Sequence, residues 1–224
     1  MSDFDSIRVR AERHGLFETC ILHARLGEAE AMTAALETAI RARMAEDPGL
    51  DRSNVGGWHS RTDMLDWGGA AAAKLADLAV KTAKRMSHFD GTEPEWSVRM
   101  WANVSPPGAL NMSHAHPGVL WAAVYYVAAG EADAGGELYL EDPRFPVPQM
   151  TYPGFRAIGA DGAPQDVEHR IVPQRGDLIL FPAWMRHGVR PYRGSGERIS
   201  IAMNLHAREP QRQAQSGGQP KPER

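Results

Sequence analysis

Between Glu28 and Glu46, apolar residues recur every four positions, at Met32, Leu36, Ile40 and Met44. That spacing predicts an amphipathic helix with one buried stripe. Asp47-Pro48-Gly49 supplies its stop. A second helix is expected over roughly Gly69 to Ser87, with Leu75, Leu78, Ala79, Thr82 and Met86 on one face. Residues 16–26 read as an early strand that Gly27 closes, and residues 50–67 show no period. From Glu95 the pattern becomes strand-like. Runs at 95–104, 112–116, 119–128, 136–141, 151–158, 167–172, 177–182, 185–190 and 197–206 alternate with Pro and Gly turns. Short strands at this spacing predict a β-sandwich or barrel. The expected organisation is one domain over residues 1–206, with helical support at 27–89 and a β-barrel core at 95–206. Residues 207–224, rich in Gln, Pro, Gly, Arg and Ser, are expected to be a disordered tail.

The last predicted strand has two faces. Ile199, Ile201, Met203 and Leu205 form an apolar one that the two helices can cover. Arg198, Ser200, Ala202, Asn204 and His206 form a polar one that then looks into the barrel. An arginine aimed at a barrel interior is costly unless it meets an anion. A structural Arg–carboxylate pair would satisfy it; so would the carboxylate of a bound small molecule, with Ser200 as a second donor on the same side. In the strongly strand-like run Val119 to Val127, Tyr125 and Tyr126 point opposite ways, so one phenol is expected in the pocket and the other outside it.

Bulk properties narrow the classes. The chain has 224 residues, 42% hydrophobic and 24% charged, as in ordinary globular proteins. The formal net charge is -3 and the basic residues are scattered, so neither nucleic acid nor a membrane surface is an expected partner. Cys20 is the single cysteine, which excludes an internal disulfide and suits a reducing compartment. No signal-peptide pattern and no apolar run of roughly eighteen residues is present. A cytoplasmic protein is expected. Oligomeric state is open, a homodimer included.

The candidate chemistry lies in Asn111-Met-Ser-His-Ala-His-Pro-Gly118. In an extended strand, His114 and His116 would aim at one point. A distant third imidazole, His187, follows in Phe181-Pro-Ala-Trp-Met-Arg-His-Gly-Val189. A close pair with a distant His is the pattern of a mononuclear metal site in a small β-barrel; the plainer reading is two surface histidines at a strand end. Gly56-Gly57-Trp58-His59-Ser60 reads as a Trp plugging the core edge in preference to a substrate loop. Trp58, His59, Trp101, Trp121 and Trp184 either line a mouth or pack in the core, the commoner fate of Trp.

Together these pieces resemble the Fe(II)/2-oxoglutarate-dependent dioxygenases. The resemblance rests on the order of His114-Ala-His116, Val124-Tyr-Tyr-Val127, Gly135-Gly-Glu-Leu-Tyr-Leu140, Gly176-Asp-Leu-Ile-Leu-Phe181, His187 and Arg198-Ile-Ser200. More narrowly, Trp101-Ala-Asn-Val104, His116-Pro-Gly118, Asp142-Pro-Arg144 and Phe181-Pro182 are similar to a bacterial and phage branch of 2-oxoglutarate oxygenases. It covers about residues 95 to 206. It implies a double-stranded β-helix, the jelly-roll barrel shared with cupins, with Fe(II) as cofactor and 2-oxoglutarate and O2 as cosubstrates. It implies oxidative decarboxylation of 2-oxoglutarate to succinate and CO2, coupled to oxidation of a substrate C–H bond, most often hydroxylation.

Carried over by position, His114 and His187 match the two imidazole ligands. Arg198 matches the residue that binds the distal carboxylate of 2-oxoglutarate, Ser200 its helper, and Tyr126 the strand tyrosine that bonds the same carboxylate. Asn103 is a further candidate polar contact. The chain departs from the pattern where His116 stands in place of the carboxylate ligand. A neutral imidazole cancels none of the metal's charge, and three nitrogens suit Zn(II), Ni(II) or Cu(II) as well as Fe(II). Glu137, Glu141 or Asp142 are alternative carboxylate sources, ranked below His116. Two other readings stand beside the oxygenase: a three-His cupin-like enzyme without 2-oxoglutarate, and a non-catalytic barrel that binds a metal or small acid. Nothing in the sequence separates a small-molecule from a peptide substrate.

Overall fold

A computed structural model of the chain describes residues 8–210. In chain order its elements are β1 (Leu22–Arg25), α1 (Glu30–Glu46), β2 (Asn54–Val55), β3 (Trp58–His59), α2 (Met64–Trp67), α3 (Gly69–Arg85), β4 (Glu95–Ser105), β5 (Leu110–His114), β6 (Trp121–Ala128), β7 (Leu138–Glu141), α4 (Val147–Thr151), β8 (Glu168–Ile171), β9 (Asp177–Pro182), β10 (His187–Val189) and β11 (Arg198–Arg208). One sheet has the order β1-β9-β6-β11-β4-β3; the other has β2-β5-β10-β7-β8. From β4 to β11 the chain crosses between the sheets in a palindrome, with β7 and β8 adjacent at its centre. Antiparallel pairing in both sheets gives the jelly-roll arrangement.

The two helices cover the outer face of the six-stranded sheet. Ile199, Ile201, Met203 and Leu205 of β11 share one core with Leu36 and Ile40 of α1 and Leu75 and Ala79 of α3. The helix faces are turned slightly from those predicted. On α1 the buried set is Thr33, Leu36 and Ile40, while Met44 is exposed. Thr33 is tolerated because its hydroxyl bonds the phenol of Tyr125 at 2.6 Å and the carbonyl of Ala29 at 2.8 Å. On α3, small side chains form most of the buried face, at Ala72, Ala76, Ala79 and Ala83. They let the helix lie close on its neighbours, a signal that a search for large apolar residues overlooks.

One predicted strand is shortened and another is absent. Residues 16–20 are exposed chain, and β1 begins only where Leu22 finds Leu180 of β9 as its partner. In place of a strand at 151–158 there is the short helix α4 and then irregular chain. Pro148 fits a helix start, whereas Pro153 removes a ladder donor and Gly154 weakens a strand interior. β11 runs to Arg208, beyond the expected end of the barrel at 206. Residues 211–224 of the expected tail lie outside the described residues.

Asp177 ties β1 to β9. Its buried carboxylate accepts from His23 Nε2 at 2.9 Å, Arg25 Nε at 3.0 Å and the Gln174 N–H at 2.7 Å. Burial alone would raise its pKa, but these hydrogen bonds outweigh burial and hold it below the ordinary 3.8. A depressed carboxylate stabilises the fold above the unfolded pKa, and that contribution is lost as pH falls through the folded value. Asp177→Asn is expected to cost about 2–3 kcal/mol near neutral pH. In urea titrations, the gap from wild type should narrow below about pH 3.8. A gap independent of pH would remove the carboxylate from the explanation.

Candidate metal and 2-oxoglutarate site

The sheets enclose a cavity of about 390 Å³. Its wall on the first sheet is a grid set by strand register. Asn103, Ser200 and Tyr126 are neighbours across β4, β11 and β6; Trp101, Ala202 and Val124 form the next row, and Arg99, Asn204 and Ala122 the row after. β3 extends the first row with His59 opposite Asn103. All of these residues line the cavity.

The facing sheet brings the imidazoles. His114 ends β5 and pairs in register with His187 on β10; their ring centroids are 4.5 Å apart. His116 lies beyond the end of β5, so strand alternation is not what aims it. The loop is pinned by the His116 N–H donating to the Ala183 carbonyl at 2.9 Å, which brings the ring within 4.9 Å of His114 and 5.1 Å of His187. One ring nitrogen from each of the three lies within 4.8 Å of the others. Among the described residues this is the cluster able to hold a metal ion, and none of Glu137, Glu141 or Asp142 joins it. Glu141 is engaged by Ser113 and Arg186, and Asp142 by Arg144.

The local hydrogen bonds suit metal ligation. His114 Nδ1 meets the Met112 carbonyl at 2.8 Å, and His187 Nδ1 meets the Met185 carbonyl at 2.8 Å. A carbonyl only accepts, so both Nδ1 atoms carry hydrogen and both Nε2 lone pairs are free. His116 Nδ1 lies 3.4 Å from the amide of Asn204, whose Oδ1 is buried without a partner. Turning that amide over lets Oδ1 accept from Nδ1–H and frees the third Nε2. Burial lowers the pKa of all three rings, to about 4 for His116 and about 3 for His187; neighbouring imidazoles add to the effect on these two. Neutral imidazoles are what a divalent ion requires. The set contains no carboxylate.

The opposite end of the cavity is polar and partnerless. The Tyr126 hydroxyl and Asn103 Oδ1 are buried with no hydrogen-bond partner. Burial pushes the Tyr126 phenol up to about 12, although the Arg198 charge opposes the rise, so it stays a donor at neutral pH. Tyr125 faces the helices. Arg198 is 4% exposed and lies behind Tyr126 and Ser200, not on the cavity wall. A register shift between Ile199 and Ser200 in the β11–β6 pairing separates it from the regular grid. Its guanidinium lies 5.7 Å from the Tyr126 ring centre and 5.9 Å from that of Tyr192, and its Nε donates to the Ala129 carbonyl at 3.2 Å. Among the described residues no carboxylate forms an ion pair with it.

Gly130 and Gly136 make room for this side chain. A Cβ on Gly136, whose φ is +79°, would sit 2.8 Å from Arg198 Cδ and 2.9 Å from its Nε. The rings of Tyr126 and Tyr192 leave the arginine little freedom to retreat. Gly136→Ala is expected to cost about 1–2 kcal/mol from backbone strain alone and to weaken 2-oxoglutarate binding by displacing Arg198. Thermal unfolding together with a 2-oxoglutarate titration checks both. Wild-type behaviour in both would show that the arginine is not held by this turn.

The aromatic candidates separate. Trp58 packs on the core and donates from Nε1 to the Asp47 carbonyl at 2.8 Å, closing the end of α1. Trp121 is in the same core and bonds Ser87. Trp184 is exposed. His59 and Trp101 do line the cavity, stacked at 5.7 Å and 16°. Asn204, Arg52 and Arg99 were not singled out from sequence. For Asn204 the signal was present, since it alternates with Arg198 and Ser200 on the polar face of β11.

Residues 99–204 match the family described as "Putative 2OG-Fe(II) oxygenase". Solved structures share the fold. A prolyl-4-hydroxylase from Pseudomonas putida is 21% identical with a TM-score of 0.58, over 86% of this chain and 94% of that one. A prolyl hydroxylase from Trichoplax adhaerens, in complex with a hypoxia-inducible-factor oxygen degradation domain peptide fragment, is 16% identical with a TM-score of 0.58, over 84% and 82%. HygX from Streptomyces hygroscopicus, with nickel and 2-oxoglutarate bound, is 15% identical with a TM-score of 0.58, over 84% and 83%. No curated protein matches the chain. The jelly roll is therefore the double-stranded β-helix of these solved structures, and residues 99–204 of this chain are similar to the 2OG-Fe(II) oxygenase family.

Proposed function

We propose that the chain is a hydroxylase in which His114, His116 and His187 hold Fe(II), and Tyr126 and Ser200, backed by the Arg198 charge behind them, take the distal carboxylate of 2-oxoglutarate. When bound, iron and 2-oxoglutarate supply the oxidising chemistry, with O2 consumed, succinate and CO2 released and a substrate C–H bond oxidised. The chain's own residues do the rest. Met112 and Met185 carbonyls fix the tautomers of His114 and His187, and Asn204 orients His116. Tyr126 donates its O–H and Arg198 supplies a fixed positive charge at the closed end, with Asn103 as an adjacent polar contact. Walls of Trp101, Val124, Leu138 and Phe181 exclude water from the centre.

The observation that carries this reading is one cavity with three convergent imidazole nitrogens at one place and an unpartnered buried phenol at another. The test is anaerobic absorbance of the apo-protein given Fe(II) and then 2-oxoglutarate. A weak charge-transfer band in the visible range is expected on the second addition, followed by succinate on admission of air. Bound iron without the band sinks the 2-oxoglutarate assignment. No helix among the described residues is long and apolar enough to cross a membrane. With one cysteine in the chain, we place the enzyme in the reducing cytoplasm.

A further inference from the structure

Accepting the metal and 2-oxoglutarate site just proposed, we infer that the primary substrate carries an anionic group, a carboxylate or a phosphate, received between Arg52 and Arg99 at the mouth of the cavity. Both arginines line the cavity and both are exposed at its mouth. They come from opposite walls. Arg52 lies just before β2, which pairs with the β5 strand that carries His114. Arg99 lies on β4 opposite Asn204, the residue that contacts His116. They therefore flank the imidazole cluster from its two sides. Arg198 stands at the other end of β11, six residues or about 20 Å along the strand from Asn204, so the 2-oxoglutarate anchor and the two mouth arginines are separate features.

The charge distribution gives the pair its meaning. Among the described residues neither Arg52 nor Arg99 is in an ion pair, whereas Arg25, Arg41, Arg43, Arg144, Arg175, Arg186 and Arg190 all are. The cavity wall contains no Asp or Glu, although the chain has more acidic than basic residues. The cluster adds to the imbalance. With His116 in place of a carboxylate, the bound ion keeps one more positive charge than a carboxylate-bearing site leaves. A cleft lined by one sign of charge with apolar walls focuses its field on an incoming ion. A guanidinium on each side offers forked donors that match carboxylate or phosphate oxygens. Ser53, Thr62 and Asn111 supply neutral polar contacts in the same lining.

The test uses the Ni(II)- and 2-oxoglutarate-loaded protein and three probes built on one ring: benzoate, phenyl phosphate and benzamide. Calorimetric titration should show at least one anion binding roughly tenfold or more tighter than benzamide, equivalent to ~1.4 kcal/mol. The advantage should shrink as salt is raised. Arg52→Gln/Arg99→Gln should abolish that advantage while benzamide binding and nickel content stay unchanged. Preference for benzoate assigns carboxylate substrates, and preference for phenyl phosphate assigns phosphate esters. Equal binding of the neutral probe, no binding of any probe, or an anion preference that survives in the double variant overturns the inference. Loading is read separately by metal analysis and 2-oxoglutarate dialysis. If 2-oxoglutarate never binds, the site assignment fails, and the same titrations on metal-free wild type and double variant still decide the role of the arginines.

Discussion

His187→Ala is expected to abolish succinate formation from 2-oxoglutarate while both sheets remain folded. His187 is the most buried of the three imidazoles and sits at the register position opposite His114. Its ring also packs against Phe181 at 4.7 Å, so the variant loses some packing as well as a ligand. The packing loss is small beside the chemical one. Four-ligand zinc sites bind with about 10–16 kcal/mol, so each ligand is worth about 3 kcal/mol, or two orders of magnitude in affinity. The remaining pair, His114 and His116, should hold iron too weakly to survive dialysis. Metal content, succinate yield and far-ultraviolet circular dichroism are the three measurements. Turnover above a tenth of wild type, with the fold intact, would remove His187 from the proposed ligand set.

Arg198→Ala is expected to raise the Kd for 2-oxoglutarate by about two to three orders of magnitude, the ~3–4 kcal/mol typical of removing one partner of a buried charged contact. Metal content should not change. The decisive readout is the stability of the apo-protein. Arg198 is buried without a carboxylate partner; it keeps one carbonyl contact, to Ala129, and packs against the rings of Tyr126 and Tyr192, which only partly offset the missing counter-ion. A buried cation without a counter-ion costs free energy, so its loss should leave the apo melting temperature unchanged or raised. The wild type should gain stability with 2-oxoglutarate in proportion to the logarithm of its concentration, and the variant should not. A structural arginine gives the opposite result: a less stable apo-protein with little change in 2-oxoglutarate affinity.

Much of this site was legible in the sequence, for local reasons. Alternation along β11 separated the helix-covered face from the cavity face for Ser200, Ala202 and Asn204, whereas Arg198 and His206, expected on the same face, are not on the cavity wall. Alternation likewise put Tyr125 and Tyr126 on opposite sides, although it could not say which side each took. The motif order identified the three imidazoles that the fold brings together. The failures are also local in origin. The run at 151–158 had strand-like residues, but Pro153-Gly154 prevents a ladder there. The strand at 16–26 was shortened to four residues because only those find partners on β9. His116 was predicted to point with His114 by strand period, and it gets there instead through a loop held by Ala183.

By itself, then, the amino-acid order determined the jelly-roll alternation, the two covering helices and the identity of the candidate ligands, since each is written in periodicity or in a short motif. Only the tertiary structure decided the geometry around them. It set His187 beside His114, turned Nδ1 of both toward main-chain carbonyls, brought Asn204 to His116, withdrew Arg198 behind Tyr126, and lined a mouth with Arg52 and Arg99 while leaving it free of carboxylates. These features depend on contacts between strands distant in the chain and on a single register shift in β11. Local patterns carry no information about which distant residue will stand opposite, because pairing is chosen by the packing of the whole sheet.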